Sequence, residues 1–113
     1  MKTLNDIRQR RADILRELQG IEQMRRGSVT EQVVESVDKH GRRHRRGPYP
    51  LYTLKLQGRT VSRRIAVEQV PVYREQIELG RRFQELVREL MELGERVGDL
   101  ETGRDAEKKT PRS

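Results

Sequence analysis

Leu79, Phe83, Leu86, Leu90, Leu93, Val97 and Leu100 recur at alternating steps of four and three without a break. On a helix that spacing puts every one of them on a single stripe, and a stripe of this kind must be covered by another element. The partner nearest to hand is the first segment of the chain. There Leu4, Ile7, Ile14, Leu18 and Ile21 follow the same seven-residue pattern, interrupted only at Arg11, with Leu15 and Met24 widening it. Thr3 followed by Asp6 offers side-chain oxygens to the first-turn N–H groups. Gly27, after Arg25 and Arg26, suits a helix stop, and Pro71 suits the first turn of the second helix because proline loses no helical hydrogen bond there.

Between the helical segments the period becomes two. Val29, Val33 and Val37, then Tyr52, Leu54 and Leu56, then Val61 and Ile65 read as three short strands, with Gln57-Gly58 as a tight turn between the second and third. The expected fold is α+β: two long helices in an antiparallel coiled-coil-like hairpin flanking a three-stranded antiparallel β-meander. The spacing predicts one domain over 3–102, with helices over about 3–26 and 69–102 and strands over about 28–37, 51–56 and 59–65. Residues 103–113 are polar, aperiodic and contain Pro111, and read as a disordered tail. The connection from Asp38 to Pro50 reads as a flexible basic loop, since Pro48 and Pro50 disfavour a ladder starting before Leu51. Gly80, Val87, Met91, Gly94 and Gly98 form a second stripe on the later helix, where small residues allow close approach of another helix and suggest a homodimer.

Charge is segregated. From Arg26 to Ala66 there are ten basic and three acidic residues, which accounts for the whole net charge of +7, while the flanks are neutral. A surface needed only for solubility would intersperse its signs, so the middle of the chain is expected to carry an electropositive working face on a neutral scaffold. Lys39, Arg42, Arg43, Arg45 and Arg46 can neutralise successive phosphates of DNA or RNA without reading a base. Thr60, Ser62 and Arg64 alternate onto one strand face, and Arg59 and Arg64 are candidates for base or phosphate contacts. Tyr49 is a candidate for stacking on bases, whereas Tyr52 shares parity with Leu54 and Leu56 and belongs to the core.

Other chemistries find little footing. The chain has no cysteine, hence no disulfide or thiolate metal site, and His40 and His44 lie in a glycine-containing run without an evident third ligand, so no metal is expected. No nucleophile elbow, paired catalytic acids or phosphate-cradling glycine loop is present, so neither catalysis nor a cofactor is expected. No apolar run approaches about 18 residues, and a cytoplasmic protein without a membrane anchor is the expectation.

Residues 25–90 resemble a small bacterial and archaeal family of unknown function often encoded with transposase genes. The segments carrying the resemblance are Arg26-Gly27-Ser28-Val29-Thr30-Glu31-Gln32, Gly47-Pro48-Tyr49, Gly58-Arg59-Thr60 with Ser62-Arg63, and Arg81-Arg82-Phe83-Gln84-Glu85-Leu86. Family members often carry a cysteine cluster, suggestive of zinc, where this chain has Ser36 and a histidine-arginine loop. The resemblance implies a helix, meander, helix core and an accessory role in a nucleoprotein complex of a mobile element. The rival reading is a coiled-coil assembly or adaptor protein whose basic surface meets an acidic protein partner.

Overall fold

The computed structural model describes residues 3–103. In chain order they form helix α1 (Leu4–Gly20), strands β1 (Ser28–Val37), β2 (Arg43–Leu56) and β3 (Arg59–Arg64), a 3-10 turn (Val67–Gln69), helix α2 (Val70–Gly98) and a π-helical turn (Asp99–Gly103). The protein is thus α+β, with two helices and one antiparallel sheet of order β1-β2-β3. It divides into two compact units, one of Met1–Glu22 with Arg82–Ser113 and one of Gln23–Arg81. Apart from Gly103, the segment expected to be a disordered tail lies outside the described residues.

In the first unit the two apolar stripes meet. Ile7, Ile14, Leu86 and Leu93 are buried together, with Leu18, Ile21, Leu90 and Val97 packed around them. Two arginine–glutamate forks flank this core. Arg10 donates through Nε and Nη2 to both Glu89 oxygens at 2.7 and 2.8 Å, and Arg82 donates likewise to Glu17 at 2.6 and 3.0 Å. The partners run in opposite order along the two segments, 10 with 89 and 17 with 82, so α1 and this part of α2 are antiparallel. Each fork favours the charged forms. Hydrogen bonding to Glu89 and Glu17 raises the Arg10 and Arg82 pKa values, and Arg82 holds the Glu17 carboxyl below its ordinary value. At its N-terminus α1 carries the reciprocal cap expected from Thr3 and Asp6, with both bonds at 3.2 Å.

α1 ends at Gly20, six residues before the expected limit. The cause is non-local. The chain beyond it is extended, and the Arg25 N–H donates to the Gln76 carbonyl of α2 at 2.9 Å, a bond that a helix continuing through 26 would forbid. Gly27 is not a helix stop. It takes its positive φ of 101° where the chain enters β1 against the Thr53 carbonyl. At the other end α2 stops at Gly98 rather than 102, and Leu100, the last residue of the heptad, is 41% exposed.

The second unit is built on Tyr52, Ile65, Tyr73 and Ile77, all buried, with Val29, Leu54 and Val70 packed against them. Tyr52 and Tyr73 meet edge to face at 5.1 Å, and the Arg25 guanidinium lies 3.9 Å from the Tyr73 ring centre. The Tyr52 hydroxyl donates to the Arg26 carbonyl. The two-residue turn at Gln57-Gly58 joins β2 to β3 with φ of 51° and 79°, as expected. Pro71 occupies the first turn of α2, and β3 ends at Arg64 rather than 65, leaving Ile65 to the core.

Gly80 is where the strand-leading segment crosses α2, and a Cβ there would lie 2.3 Å from the Arg25 carbonyl oxygen. This overturns one part of the small-residue stripe: Gly80 admits the chain's own backbone and not a second helix. Gly94 and Gly98 face open space instead. Gly80→Ala should therefore destabilise by about 1–3 kcal/mol through overpacking, whereas Gly94→Ala should stabilise by up to about 1 kcal/mol through helix propensity. Thermal or urea unfolding of the two variants checks the opposite signs.

Candidate nucleic-acid interface

β2 is much longer than β3. Its Leu51–Leu56 half pairs with β3, while its Arg43–Thr53 stretch pairs with β1, from Thr53 opposite Ser28 to Arg43 opposite Val37. Beyond Leu51 the sheet therefore continues as a two-stranded antiparallel ribbon, and the basic run lies in it. The expected flexible loop from Asp38 to Pro50 is corrected accordingly: only residues 38–42 turn, and the ladder begins at Arg43.

Three local features make this possible. At the tip the Gly41 N–H donates to the Asp38 carbonyl at 3.0 Å, Gly41 takes a φ of 80°, and the Asp38 N–H returns to Arg42 at 2.9 Å, the pattern of a three-residue hairpin. In the middle β1 steps two residues from Gln32 to Val34 while β2 steps three from Tyr49 to Arg46, so Gly47 and Pro48 together oppose Val33 as a bulge. Gly47 has a φ of 107°, and a Cβ there would come within 2.7 Å of the Gln32 carbonyl. At Pro50 the carbonyl accepts from the Ile65 N–H. A strand residue's nitrogen and oxygen point the same way, so the missing N–H of Pro50 falls on the side where β3 has left the ladder.

The register distributes the predicted residues between two faces, because residues directly opposite share a face. Arg43 (opposite Val37) and Arg45 (opposite Glu35) lie on the face that carries Tyr52. Arg46 (opposite Val34), Tyr49 (opposite Gln32) and Arg64 (opposite Leu51) lie on the other, together with Thr60 and Ser62. Lys39 and Arg42 sit at the tip. Arg59, opposite Leu56, lies at the far end of β2 from the tip, on the Tyr52 face; at about 3.3 Å per residue it stands roughly 40 Å from Arg43. The structure thus separates Arg59 from the other candidates. Tyr49 is half-buried, and the Arg64 guanidinium lies 4.0 Å from its ring centre. Arg63, which was no candidate, turns to the core and donates to the Tyr73 hydroxyl at 2.8 Å.

Lys39, Arg42, Arg43, Arg45 and Arg46 are all exposed, and none makes an ion pair within 4.0 Å among the described residues. Arg8, Arg10, Arg16, Arg81 and Arg82, in contrast, each face a carboxylate. On the ribbon and its tip, five exposed cations without a carboxylate partner thus lie together along one arm.

Sequence reasoning missed Asp38. Its Oδ1 accepts from the His40 and Arg42 N–H groups at 2.8 and 2.9 Å, and its Oδ2 lies 2.8 Å from His44 Nε2. The signal was present as aspartate three residues before glycine, the common signature of a type I turn. His44 is thus drawn to Asp38, and among the described residues no group of three or more His, Cys, Asp or Glu is placed to hold a metal ion. No helix there is long and apolar enough to cross a membrane. No protein-family model matches the chain, and neither curated proteins nor solved structures supply a match.

The His44 contact, followed by the Arg42 N–H and then the His40 N–H, lowers the Asp38 pKa against an opposing desolvation effect. A depressed carboxyl pKa stabilises the folded tip at pH values above the unfolded value of about 3.9, and that contribution is lost as pH falls through the lower folded value. Carboxyl NMR should show Asp38 titrating below the ordinary range, with the His40 and Arg42 amide shifts moving in step. An ordinary Asp38 midpoint with unmoved amides would contradict this account of the turn.

Proposed function

We propose that the protein is a non-enzymatic nucleic-acid-binding factor of the cytoplasm that docks on phosphates through the basic tip and ribbon, serving as an accessory subunit in a mobile-element nucleoprotein complex. The observation that carries the reading is the set of five exposed cations on one two-stranded arm, none paired to a carboxylate among the described residues. Such cations release counterions when they meet phosphates, which supplies affinity independent of sequence. The mobile-element association is carried by the segments quoted for the family resemblance.

Replacing Arg42, Arg43, Arg45 and Arg46 together with Gln should weaken binding and flatten the plot of log affinity against log salt. The change is about 0.9 per arginine that meets a duplex phosphate, up to between three and four units if all four do. The folded state should survive, because none of the four side chains belongs to either core. A folded variant with unchanged affinity and slope would remove the arm from the mechanism. Wild type that binds no nucleic acid even at low salt would turn these arginines towards an acidic protein partner instead.

In the first unit, α1 and α2 are read as a coiled-coil-like hairpin whose outer side dimerises. Phe83, Val87 and Met91 line an open groove on α2, with Arg88, Glu92 and Glu95 beside it; Met91 is 64% exposed. A second copy fits this groove because a two-fold antiparallel pairing about Met91 brings the Arg88 side of one protomer towards the Glu92 and Glu95 side of its partner. Sedimentation should show Met91→Glu shifting dimer to monomer with helicity intact, and a wild type that is already monomeric would reject the dimer.

A further inference from the structure

We infer that the ribbon takes the major groove of B-form duplex DNA, and that it enters with the face bearing Arg46, Tyr49 and Arg64 towards the base edges. This rests on the nucleic-acid reading and specifies the ligand and the face that it leaves open.

Carboxylates are sorted between the two faces of the sheet. The two glutamates of the sheet, Glu31 and Glu35, lie opposite Pro50 and Arg45, on the face that carries Tyr52. The opposite face has no acidic residue at any paired position of the three strands. Its ribbon portion presents Gln32, Ser36, His44, Arg46 and Tyr49, continued by Arg64. The nearest carboxylate, Asp38 at the tip, is engaged by two N–H groups and His44. A nucleic acid approaching the Tyr52 face would meet Glu31 and Glu35 among Arg43 and Arg45, whereas the other face offers donors and, at its tip end, only the engaged carboxylate of Asp38.

Single strands are held largely by bases laid on exposed aromatic rings. Of the tyrosines, Tyr52 and Tyr73 are buried and Tyr49 is half-buried with its ring covered by Arg64. Among the described residues the sheet therefore presents no fully exposed ring for stacking, and a duplex is the better fit. Among duplexes, A-form RNA has a deep, narrow major groove that side chains do not read, while the B-form groove, about 12 Å wide, admits a two-stranded ribbon. The portion of ribbon beyond β3, from Gln32 to Val37 paired with Arg43 to Tyr49, spans roughly 20 Å at about 3.3 Å per residue. Arginine there can pair with guanine O6 and N7, and Gln32 can pair with adenine N6 and N7.

Two double variants of the full chain test the face while matching each other in charge. Gln32→Glu with Ser36→Glu places two carboxylates on the acid-free face, and Val33→Glu with Val37→Glu places two on the opposite face, where both valines are exposed. Circular dichroism establishes that both are folded; should either fail, Arg46→Gln against Arg45→Gln makes the same comparison. Affinity is measured at one salt concentration for a mixed-sequence DNA duplex, the corresponding single strand and the corresponding RNA duplex. The expected result is tightest wild-type binding to duplex DNA. The acid-free-face variant should lose at least tenfold more affinity than its counterpart, and bound protein should shield guanine N7 from methylation. Equal losses overturn the face, tighter binding to single strand or RNA duplex overturns the ligand, and unshielded N7 overturns the groove. Failure of wild type to bind any of the three at low salt is a different outcome, since it overturns the nucleic-acid reading itself.

Discussion

The Arg25 crossing at Gly80 fixes much of the second unit. The helix has no Cβ at that point, so the chain leading into β1 can lie against it, its N–H on the Gln76 carbonyl and its guanidinium Nε on the Gln76 side chain at 2.6 Å. From this contact follow the seat of Arg25 over Tyr73 and the Arg26 carbonyl that receives the Tyr52 hydroxyl. Tyr52 in turn decides which sheet face is buried. The burial of the Tyr52 face is thus tied to a single missing methyl group in α2.

The ribbon itself owes its exposure to a difference in strand length. β3 stops covering β2 at Leu51, and the helical core of the second unit reaches only Val29, Tyr52 and Leu54 of the first two strands. Past that point neither core cluster of the described residues reaches the strands, and Val33 and Val37 stand exposed although their parity is that of Val29. An open ribbon invites edge-to-edge pairing. Here the two prolines and the density of arginine in β2 discourage it, so the same cations that suit an anionic ligand also keep the arm from pairing with its own kind.

What could be read from the sequence was what depends on near neighbours. The heptad from Leu79, the Thr3 and Asp6 cap, Pro71 in the first turn of α2 and the Gln57-Gly58 turn each have their cause within a few residues. The end of α1 was not legible, because it is set by a bond between residues 25 and 76. Nor was the start of β2. The run Arg43-His44-Arg45-Arg46-Gly47-Pro48 has the composition of a loop, and becomes strand only because β1 supplies a ladder and the bulge absorbs the residues that do not fit. For the candidate site, the cationic residues were visible as charge density, but their division between faces was not, since Tyr49 and Arg46 share a face only after the register is known.

The bulge at Gly47 and Pro48 behaves as a phase shifter. A strand's side chains alternate strictly, so one surplus residue inverts the alternation for everything beyond it. Strict alternation back from Tyr52 over the same residues, with no bulge, would bring Arg46 and His44 to the core face and send Arg45 and Arg43 to the opposite one. The glutamates on β1 would stay where they are. With no change in sequence or net charge, the presence of the bulge thus decides which cations lie beside Glu31 and Glu35 and which stand on the acid-free face. In this protein the chemistry of a surface is governed by a count: pairing both Gly47 and Pro48 into the ladder would exchange the two faces of the arm, whereas deleting one of them would leave the faces as they are.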